Sequence, residues 1–188
     1  KTTTTINLGA SLAAMGFRVL LIDMDQQAHS TKGLGVDLGA DDASMYEVLH
    51  PDRAMRVPLQ KVIRSSEFGI DVAPGHLALK ELERTGLGSG GQLRLARQLD
   101  DLEGYDFVLM DCPPALGELT TAALAAADYV LAVLKAGPDE IDGLVELGNA
   151  VLDVQETLNP DVEIRYVLLA DFDGNPKAQA ALGLSERE

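Results

Sequence analysis

The chain has 188 residues, 46% of them hydrophobic, and a formal net charge of −15 at pH 7. This length and composition fit one globular domain with a sizeable core and exclude wholesale disorder. The acidic balance disfavours nucleic acid and anionic membranes as partners, and the 15 lysines and arginines are scattered along the sequence. Cys112 is the only cysteine, which excludes an internal disulfide. No signal peptide or apolar run of about 18 residues is present, so we expect a cytoplasmic protein.

In chain order, helical patterns alternate with apolar runs of strand length. A helix is predicted after Lys1, ending at Gly16, with further helices at residues 43–49, 92–102 and 122–127 and along the apolar positions from 144 to 158. Strands are predicted at residues 18–23, 70–73, 107–111, 129–134 and 164–169. This alternation predicts an α/β fold with a doubly wound, mainly parallel sheet and helices on both faces, in a single domain over residues 1–188.

Several polar and glycine-rich features have ordinary structural interpretations. The glycine-rich stretch at residues 86–91 is typical of a surface linker, and it is not a phosphate loop because no strand closely precedes it. Asp41 and Asp42 are predicted to cap the helix at residues 43–49. The three histidines lack the spacing of metal ligands and are predicted to lie on the surface or in loops: His29, His50 and His76.

The opening residues allow two structural interpretations. A β-branched run after Lys1 is typical of a strand, or Lys1 and Thr2 could be the end of a phosphate-binding loop, G-x-x-x-x-G-K-[ST], followed by a helix. Two later stretches favour the loop. Asp23 and Asp25 follow one apolar strand and Asp111 ends another, and the carboxyl ends of parallel strands are where such sheets place ligands.

These stretches together resemble the ParA/Soj family of deviant Walker-type partition ATPases, in the wider MinD/ParA group. The sequence K-T-T-T begins at Lys1, the D-x-D-x-Q pattern occupies residues 23–27, and D-C-P-P occupies residues 111–114. The stretch at residues 158–174 is similar to the family's strand before the base-binding region. The similarity runs through nearly the whole chain in the family's order.

The resemblance implies a role for each matched residue, with ATP and Mg²⁺ as cofactors. Lys1 is similar to the phosphate-loop lysine, Thr2 to the threonine that ligates Mg²⁺, and Thr3 would meet the α-phosphate. Asp25 matches the acid that orients the attacking water, Asp23 would support the Mg²⁺ shell, and Asp111 matches the Walker B acid. The implied catalytic residues are Lys1, Asp25 and Asp111; those that bind nucleotide are Lys1, Thr2 and Thr3; those at the metal are Thr2, Asp23 and Asp111.

The sequence also departs from the family pattern. The K-G-G-x-G half of the loop, the strand before it and the C-terminal helices are absent, so we expect an internal fragment that by itself binds and hydrolyses ATP weakly or not at all. Gln26 replaces a common proline. Asp171 and Asp173 are either close to the base pocket or acids of a turn. Cys112 is expected to pack as a small residue rather than act as a nucleophile.

The resemblance implies an ATPase that dimerises around ATP to segregate chromosomal or plasmid DNA. Its implied partners are a second copy of the chain, a ParB-like centromere-binding protein and non-specific DNA, the last through regions largely missing here; full-length members would be associated with the nucleoid. A MinD-like ATPase that positions other molecules at a membrane is one alternative, although membrane binding is not expected here. The other alternative is a nucleotide-binding module that does not hydrolyse ATP.

Overall fold

The computed structural model describes residues 1–135 and 139–170. The chain divides into two compact units, the first spanning Lys1–Ala126 and the second beginning at Ala127, and each is described separately. The expectation of a single domain over residues 1–188 stays a prediction. Asp171 and Asp173 lie outside the described residues.

The first unit contains the residues predicted to form the functional site. Its helices are α1 (Thr2–Ala14), α2 (His29–Gly33), α3 (Met45–Leu49), α4 (Leu59–Val62), α5 (Leu79–Thr85), α6 (Arg94–Asp100) and α7 (Glu118–Ala125). Its strands are β1 (Val19–Asp23), β2 (Arg64–Ser65), β3 (Asp71–Ala73) and β4 (Phe107–Asp111). The opening segment is therefore helical, as the phosphate-loop interpretation predicts.

The four strands form one sheet in the order β2-β3-β1-β4. β1 is parallel to both neighbours, with Leu21 in register with Val72 on one side and Leu109 on the other. β2 is antiparallel to β3 and covers only two residues, which is too short for a periodic signal in the sequence. The mainly parallel sheet predicted from the sequence is thus confirmed.

β1 is buried along its whole length because helices cover both of its faces. Val19 and Leu21 belong to the core cluster against which the apolar face of α1 packs. Leu20 and Ile22 belong to the opposite cluster, which includes residues of α3, α5, α6 and α7. In β1, successive side chains therefore enter two different cores, as expected for a strand of a doubly wound sheet.

The second unit is a β-α-β unit as far as its described residues reach. It consists of β5 (Tyr129–Lys135), α8 (Asp139–Thr157) and β6 (Glu163–Ala170). The two strands are parallel, with a register shift that leaves Arg165 as an extra residue on β6. Val151 and Val154 of α8 are buried. Among the described residues, no helix combines the length and apolar character needed to cross a bilayer.

The cap of α3 differs from the prediction. Ser44 caps this helix, since its Oγ accepts a hydrogen bond from Tyr46 N at 3.2 Å and its main-chain amide donates to Glu47 Oε2 at 2.8 Å. Asp42, which was predicted to be part of the cap, instead accepts a hydrogen bond from Gly39 N at 2.8 Å. The reciprocal Ser44–Glu47 pair is a capping box and satisfies two amides that a single aspartate could not.

Candidate functional site

The site is built where the carboxyl ends of β1 and β4 meet the N-terminus of α1. Asp23 and Asp111 are the last residues of these strands and are paired in register. The hydroxyl of Thr2, in the first turn of α1, donates to Asp111 Oδ2 at 2.8 Å. Two residues 109 positions apart are therefore joined at the sheet edge where parallel α/β folds place their ligands.

Lys1 lies at the N-cap of α1, and its ammonium group turns toward the loop after β4. Its Nζ donates to Pro113 O at 3.1 Å, and Thr5 N is bonded to Lys1 O at 3.0 Å within the helix. The amides of the turn before Thr5 point out of the helix end without intrahelical acceptors. A lysine beside such amides is an arrangement that suits phosphate groups.

Asp111 accepts two hydroxyl hydrogen bonds on a single oxygen. Its Oδ2 receives Thr2 Oγ1 at 2.8 Å and Ser30 Oγ at 2.6 Å, and its side chain is buried. A buried carboxylate beside two hydroxyls offers only oxygen donors, the set that Mg²⁺ prefers, and Mg²⁺ is commonly held by one or two protein oxygens together with phosphates and water. The donor set at Asp111 and Thr2 therefore fits this ion.

Asp23 supports the loop that follows β1. Its Oδ2 accepts the amide and the hydroxyl of Thr31 at 2.8 and 2.7 Å, and its Oδ1 accepts Asp25 N at 3.1 Å. Burial raises the pKa of the Asp23 carboxyl, although the hydrogen bonds from Thr31 and Asp25 act in the opposite direction. The carboxylate thus has three donors in the protein and fixes the start of the loop that carries Asp25.

The loop after β3 also packs closely against the loop that carries Asp25. Gly75 N donates to Thr31 Oγ1 at 2.9 Å. A Cβ atom at Gly75 would lie 2.9 Å from the main-chain oxygens of both Asp23 and Asp25, closer than real Cβ contacts come. Because those oxygens belong to the backbone, only glycine fits at this position.

Asp25 lies on the turn that leads from β1 into α2. Its Oδ1 accepts Gln27 N at 2.9 Å, and its main-chain oxygen accepts Ala28 N at 3.0 Å. Ala28 has φ 52° and ψ 40°, the left-handed conformation, and is the one non-glycine residue with positive φ in the described part of the chain. The turn that presents Asp25 is therefore strained at Ala28.

The remaining predicted residues are less engaged in this network. Thr3 is exposed, and its main-chain oxygen accepts Asn7 Nδ2 at 2.7 Å. Burial, followed by repulsion from Asp111, raises the pKa of the Cys112 thiol to about 12. This thiol stays protonated near neutral pH, in agreement with packing rather than nucleophilic chemistry. In the described residues, no three His, Cys, Asp or Glu side chains are grouped closely enough to hold a metal by themselves.

Ser30 and Thr31 were not predicted from the sequence, although their hydroxyls bind the two strand-end carboxylates. Both residues are buried in α2. Their position in the sequence is a signal for this contact, because the two hydroxyl residues come only a few positions after Asp23 and Asp25, close enough to fold back onto the strand end. That position does not identify the partner of Ser30, because Asp111 lies 81 positions away.

Comparisons with known proteins identify the family of this chain. The family described as an AAA domain matches residues 1–164. The chain is 38% identical over 176 residues to the sporulation initiation inhibitor protein Soj of Bacillus subtilis (strain 168), covering 92% of this chain and 68% of that protein. It is 39% identical over 177 residues to the chromosome partitioning protein ParA of Myxococcus xanthus (strain DK1622), covering 92% and 61% respectively. The chain thus spans 61–68% of the length of these relatives.

Solved structures share the fold over almost all of the chain. A cobyrinic acid a,c-diamide synthase from Mycobacterium smegmatis, solved with a bound ATP analogue and magnesium, has a TM-score of 0.86 and 32% identity, covering 96% of this chain and 74% of that one. A plasmid partition protein from Borrelia burgdorferi has a TM-score of 0.81 at 22% identity, covering 98% and 79%. The family match, the two curated relatives and the joined motifs identify the chain as a member of the ParA/Soj family of P-loop ATPases.

Proposed function

We propose that this protein is an ATP-dependent partition ATPase of the ParA type. The observation that carries the proposal is the 2.8 Å contact between Thr2 and Asp111 beside Lys1 at the N-terminus of α1. A helix N-terminus with a lysine, a hydroxyl and a buried carboxylate supplies what a nucleoside triphosphate with Mg²⁺ requires. Relatives named as chromosome partitioning proteins support DNA segregation as the purpose.

The proposed binding roles follow from position. Lys1 neutralises charge on the β- and γ-phosphates, while Thr2 and Thr3 approach the phosphates from the first turn of α1. Thr2 and Asp111 would hold Mg²⁺, which offsets negative charge on the phosphates when it is bound. Asp23 supports the Mg²⁺ site indirectly, since the hydrogen bonds that it accepts from Thr31 and Asp25 N hold the neighbouring loop in place.

Asp25 is the proposed residue that orients the attacking water. Hydrolysis requires a water in line with the γ-phosphate, and a carboxylate is the group that can hold it there. Of the two carboxylate oxygens of Asp25, only Oδ1 accepts a hydrogen bond from the described part of the protein, and its donor is Gln27 N. Oδ2 is therefore left to hold a water. The support from Asp23 and the close approach of Gly75 keep this turn at a fixed place next to the site.

The cellular part of the proposal rests on the relatives. We propose an ATP-dependent homodimer that is cytoplasmic and associated with the nucleoid, stimulated by a ParB-like partner and able to bind non-specific DNA. The net charge of −15 favours DNA contacts outside these 188 residues. Because this sequence spans only part of its relatives, we also propose that these residues alone hydrolyse ATP weakly.

The test is the ATPase rate of the full-length protein with no addition, with non-specific DNA and with anionic lipid vesicles. Asp25→Ala should abolish DNA-stimulated hydrolysis, whereas Asp100→Ala, an exposed acid at the end of α6, should leave it unchanged. Stimulation by vesicles alone would favour the MinD-like alternative. Absence of hydrolysis under every condition would leave a nucleotide-binding module.

A further inference from the structure

The glycine-rich stretch at residues 86–91 is anchored at both ends rather than being a free linker. Leu87 and Gly91 are buried, whereas the three residues between them are exposed. Gly91 N donates to Gly88 O at 2.9 Å, and a Cβ atom at Gly91 would collide with Leu87 O. The stretch therefore forms a tight, fixed loop, and that loop is one wall of a pocket that the proposed ATPase site does not use.

Arg94 forms the floor of this pocket. Its side chain is only 8% exposed, and it donates from Nη1 to Leu49 O and from Nη2 to Leu87 O. Both acceptors are neutral main-chain oxygens, so they fix the guanidinium without cancelling its charge. Burial, followed by repulsion from Arg56 and Arg97, lowers the pKa of Arg94, but an arginine remains charged in water at any ordinary pH.

Two further arginines line the same pocket. Arg56 is also held by neutral acceptors, with Nε donating to His50 O at 2.8 Å and Nη2 to Pro51 O at 2.6 Å. Arg97 is exposed on α6. None of the three arginines forms an ion pair with a carboxylate of residues 1–135 or 139–170. Three positive charges thus converge in a protein whose overall balance is strongly negative.

The remaining lining residues suit a small anion. Ser89 and Gly90 contribute the exposed tip of the loop, and Gln98 contributes an amide, while Asp101 is the one carboxylate on the rim. The pocket encloses about 270 Å³, slightly below the roughly 300–1,000 Å³ of sites for drug-sized ligands. Guanidinium groups match the geometry of phosphate oxygens and can bind two of them at once.

We propose that the pocket between Arg56, Arg94, Arg97 and the glycine-rich loop binds a small molecule through its phosphate group. A pocket of this size, in which Arg56 and Arg94 are held in place by carbonyls, favours a compact dianion that can enter it over the extended backbone of DNA. The phosphate could be free or could be the monoester of a metabolite, and both present the same oxygens. None of the residues lining this pocket belongs to the network around Thr2 and Asp111.

The test is isothermal titration calorimetry, in which the full-length protein is titrated with inorganic phosphate and, separately, with AMP. Arg97→Ala should weaken the binding of at least one of them by about tenfold or more, because one charge-assisted contact is lost. Arg97→Lys should restore part of that loss. Arg84→Ala removes an exposed arginine from α5, outside the pocket, and should change the affinity by less than about twofold.

A second control separates this pocket from the ATPase site. Lys1→Ala should leave phosphate binding at the arginine pocket intact, whether or not the protein hydrolyses ATP. Binding that Lys1→Ala abolishes, or that Arg97→Ala leaves unchanged, would overturn the proposal, as would the absence of saturable binding. A short DNA duplex that displaces phosphate, and whose own binding Arg97→Ala weakens, would overturn it in favour of a nucleic-acid surface. AMP binding without phosphate binding would support a monoester ligand.

Discussion

The hydroxyl of Ser30 donates a 2.6 Å hydrogen bond to Oδ2 of Asp111, the oxygen that also accepts Thr2. Both Ser30 and Asp111 are buried, so water cannot easily replace a lost donor. We expect Ser30→Ala to lower the free energy of unfolding by about 1.5–3 kcal/mol, the usual value for a hydrogen bond to a charged group. Urea denaturation monitored by circular dichroism measures this change.

Ser11→Ala is the matched control, because Ser11 is an exposed serine of α1 whose hydroxyl donates to Asn7 O at 2.8 Å. Its substitution should change the unfolding free energy by no more than about 0.5 kcal/mol. Equal effects of the two substitutions would show that the Ser30–Asp111 bond contributes little to stability.

Replacement of Ala28 by glycine is expected to stabilise the protein. Ala28 has φ 52°, a conformation that costs an L-residue about 1–2 kcal/mol, whereas glycine adopts it freely. Glycine gains roughly 0.5–1 kcal/mol of conformational free energy in the unfolded chain, so a net stabilisation of up to about 1.5 kcal/mol remains. Thermal denaturation of Ala28→Gly should therefore show a higher midpoint than the parent protein.

The same substitution inside α1 should act in the opposite direction. Ala10 is a helix-interior residue, so Ala10→Gly should cost about 1 kcal/mol. A similar loss of stability in Ala28→Gly would mean that the left-handed turn is not strained in solution.

Gly117 and Glu83 should be energetically coupled at the start of α7. Glu83 Oε2 accepts Leu119 N at 3.0 Å, and a Cβ atom at Gly117 would collide with Glu83 Oε1. The carboxylate is the end of a flexible side chain, so Gly117→Ala would displace it rather than the backbone. We expect a loss of about 1–2 kcal/mol, the value of a cap, and urea denaturation measures it.

A double-mutant cycle tests this interpretation. In a Glu83→Ala background the cap is already absent, so adding Gly117→Ala should cost much less than it does in the parent protein. Additive losses from the two substitutions would contradict a contact between them. The geometry matters for the proposed function, because only three residues separate α7 from the D-C-P-P segment that contains Asp111.

Tyr105 should be a late-titrating tyrosine. Burial, the hydrogen bond to Asp71 Oδ2 and repulsion from that carboxylate raise the pKa of Tyr105 to about 12. Since this pKa exceeds the unfolded value of about 10, the stabilisation is present below about pH 10 and is lost as the pH rises toward 12. The tyrosinate absorbance should show a late step that Tyr105→Phe removes.

The stability of the same variant checks the direction of this effect. The difference in unfolding free energy between the parent protein and Tyr105→Phe should be smaller at about pH 11 than at about pH 8. Tyr129→Phe serves as the control and should leave the late absorbance step in place. A difference that grows with pH would contradict the assignment.

The meeting of Thr2 and Asp111 could be predicted because both belong to motifs at the ends of strong elements, whereas the roles of the site residues toward ATP and Mg²⁺ stay predictions. Thr2 and Asp111 each follow from a recognisable pattern, and parallel strands bring such ends to one edge. Ser30 could not be found in this way, because it belongs to none of the recognised motifs and its five-residue helix gives no periodic signal. The arginine pocket could not be predicted either, because Arg56 and Arg94 are far apart in the sequence and belong to no motif. They are brought together because each donates to a carbonyl of the same short segment, His50 O for Arg56 and Leu49 O for Arg94.

Three short helices were not predicted from the sequence, whereas α3 and α6, with five and seven residues, were predicted within longer helical patterns. α2, α4 and α5 have five, four and seven residues, so they complete two turns at most and show little periodicity. In contrast, α1 and the apolar strands could be predicted, because the local sequence itself contains the patterns that indicate them.

The alternation along β1 limits how this protein can change. A loop can gain or lose a residue and be repaired locally, but a one-residue slip in β1 would send Leu20 and Ile22 to the α1 side and Val19 and Leu21 to the other. The same slip would move Asp23 out of register with Asp111. Variants that keep a stable fold therefore also keep positions 23 and 111 side by side, so selection for folding preserves the backbone frame on which the two carboxylates are placed.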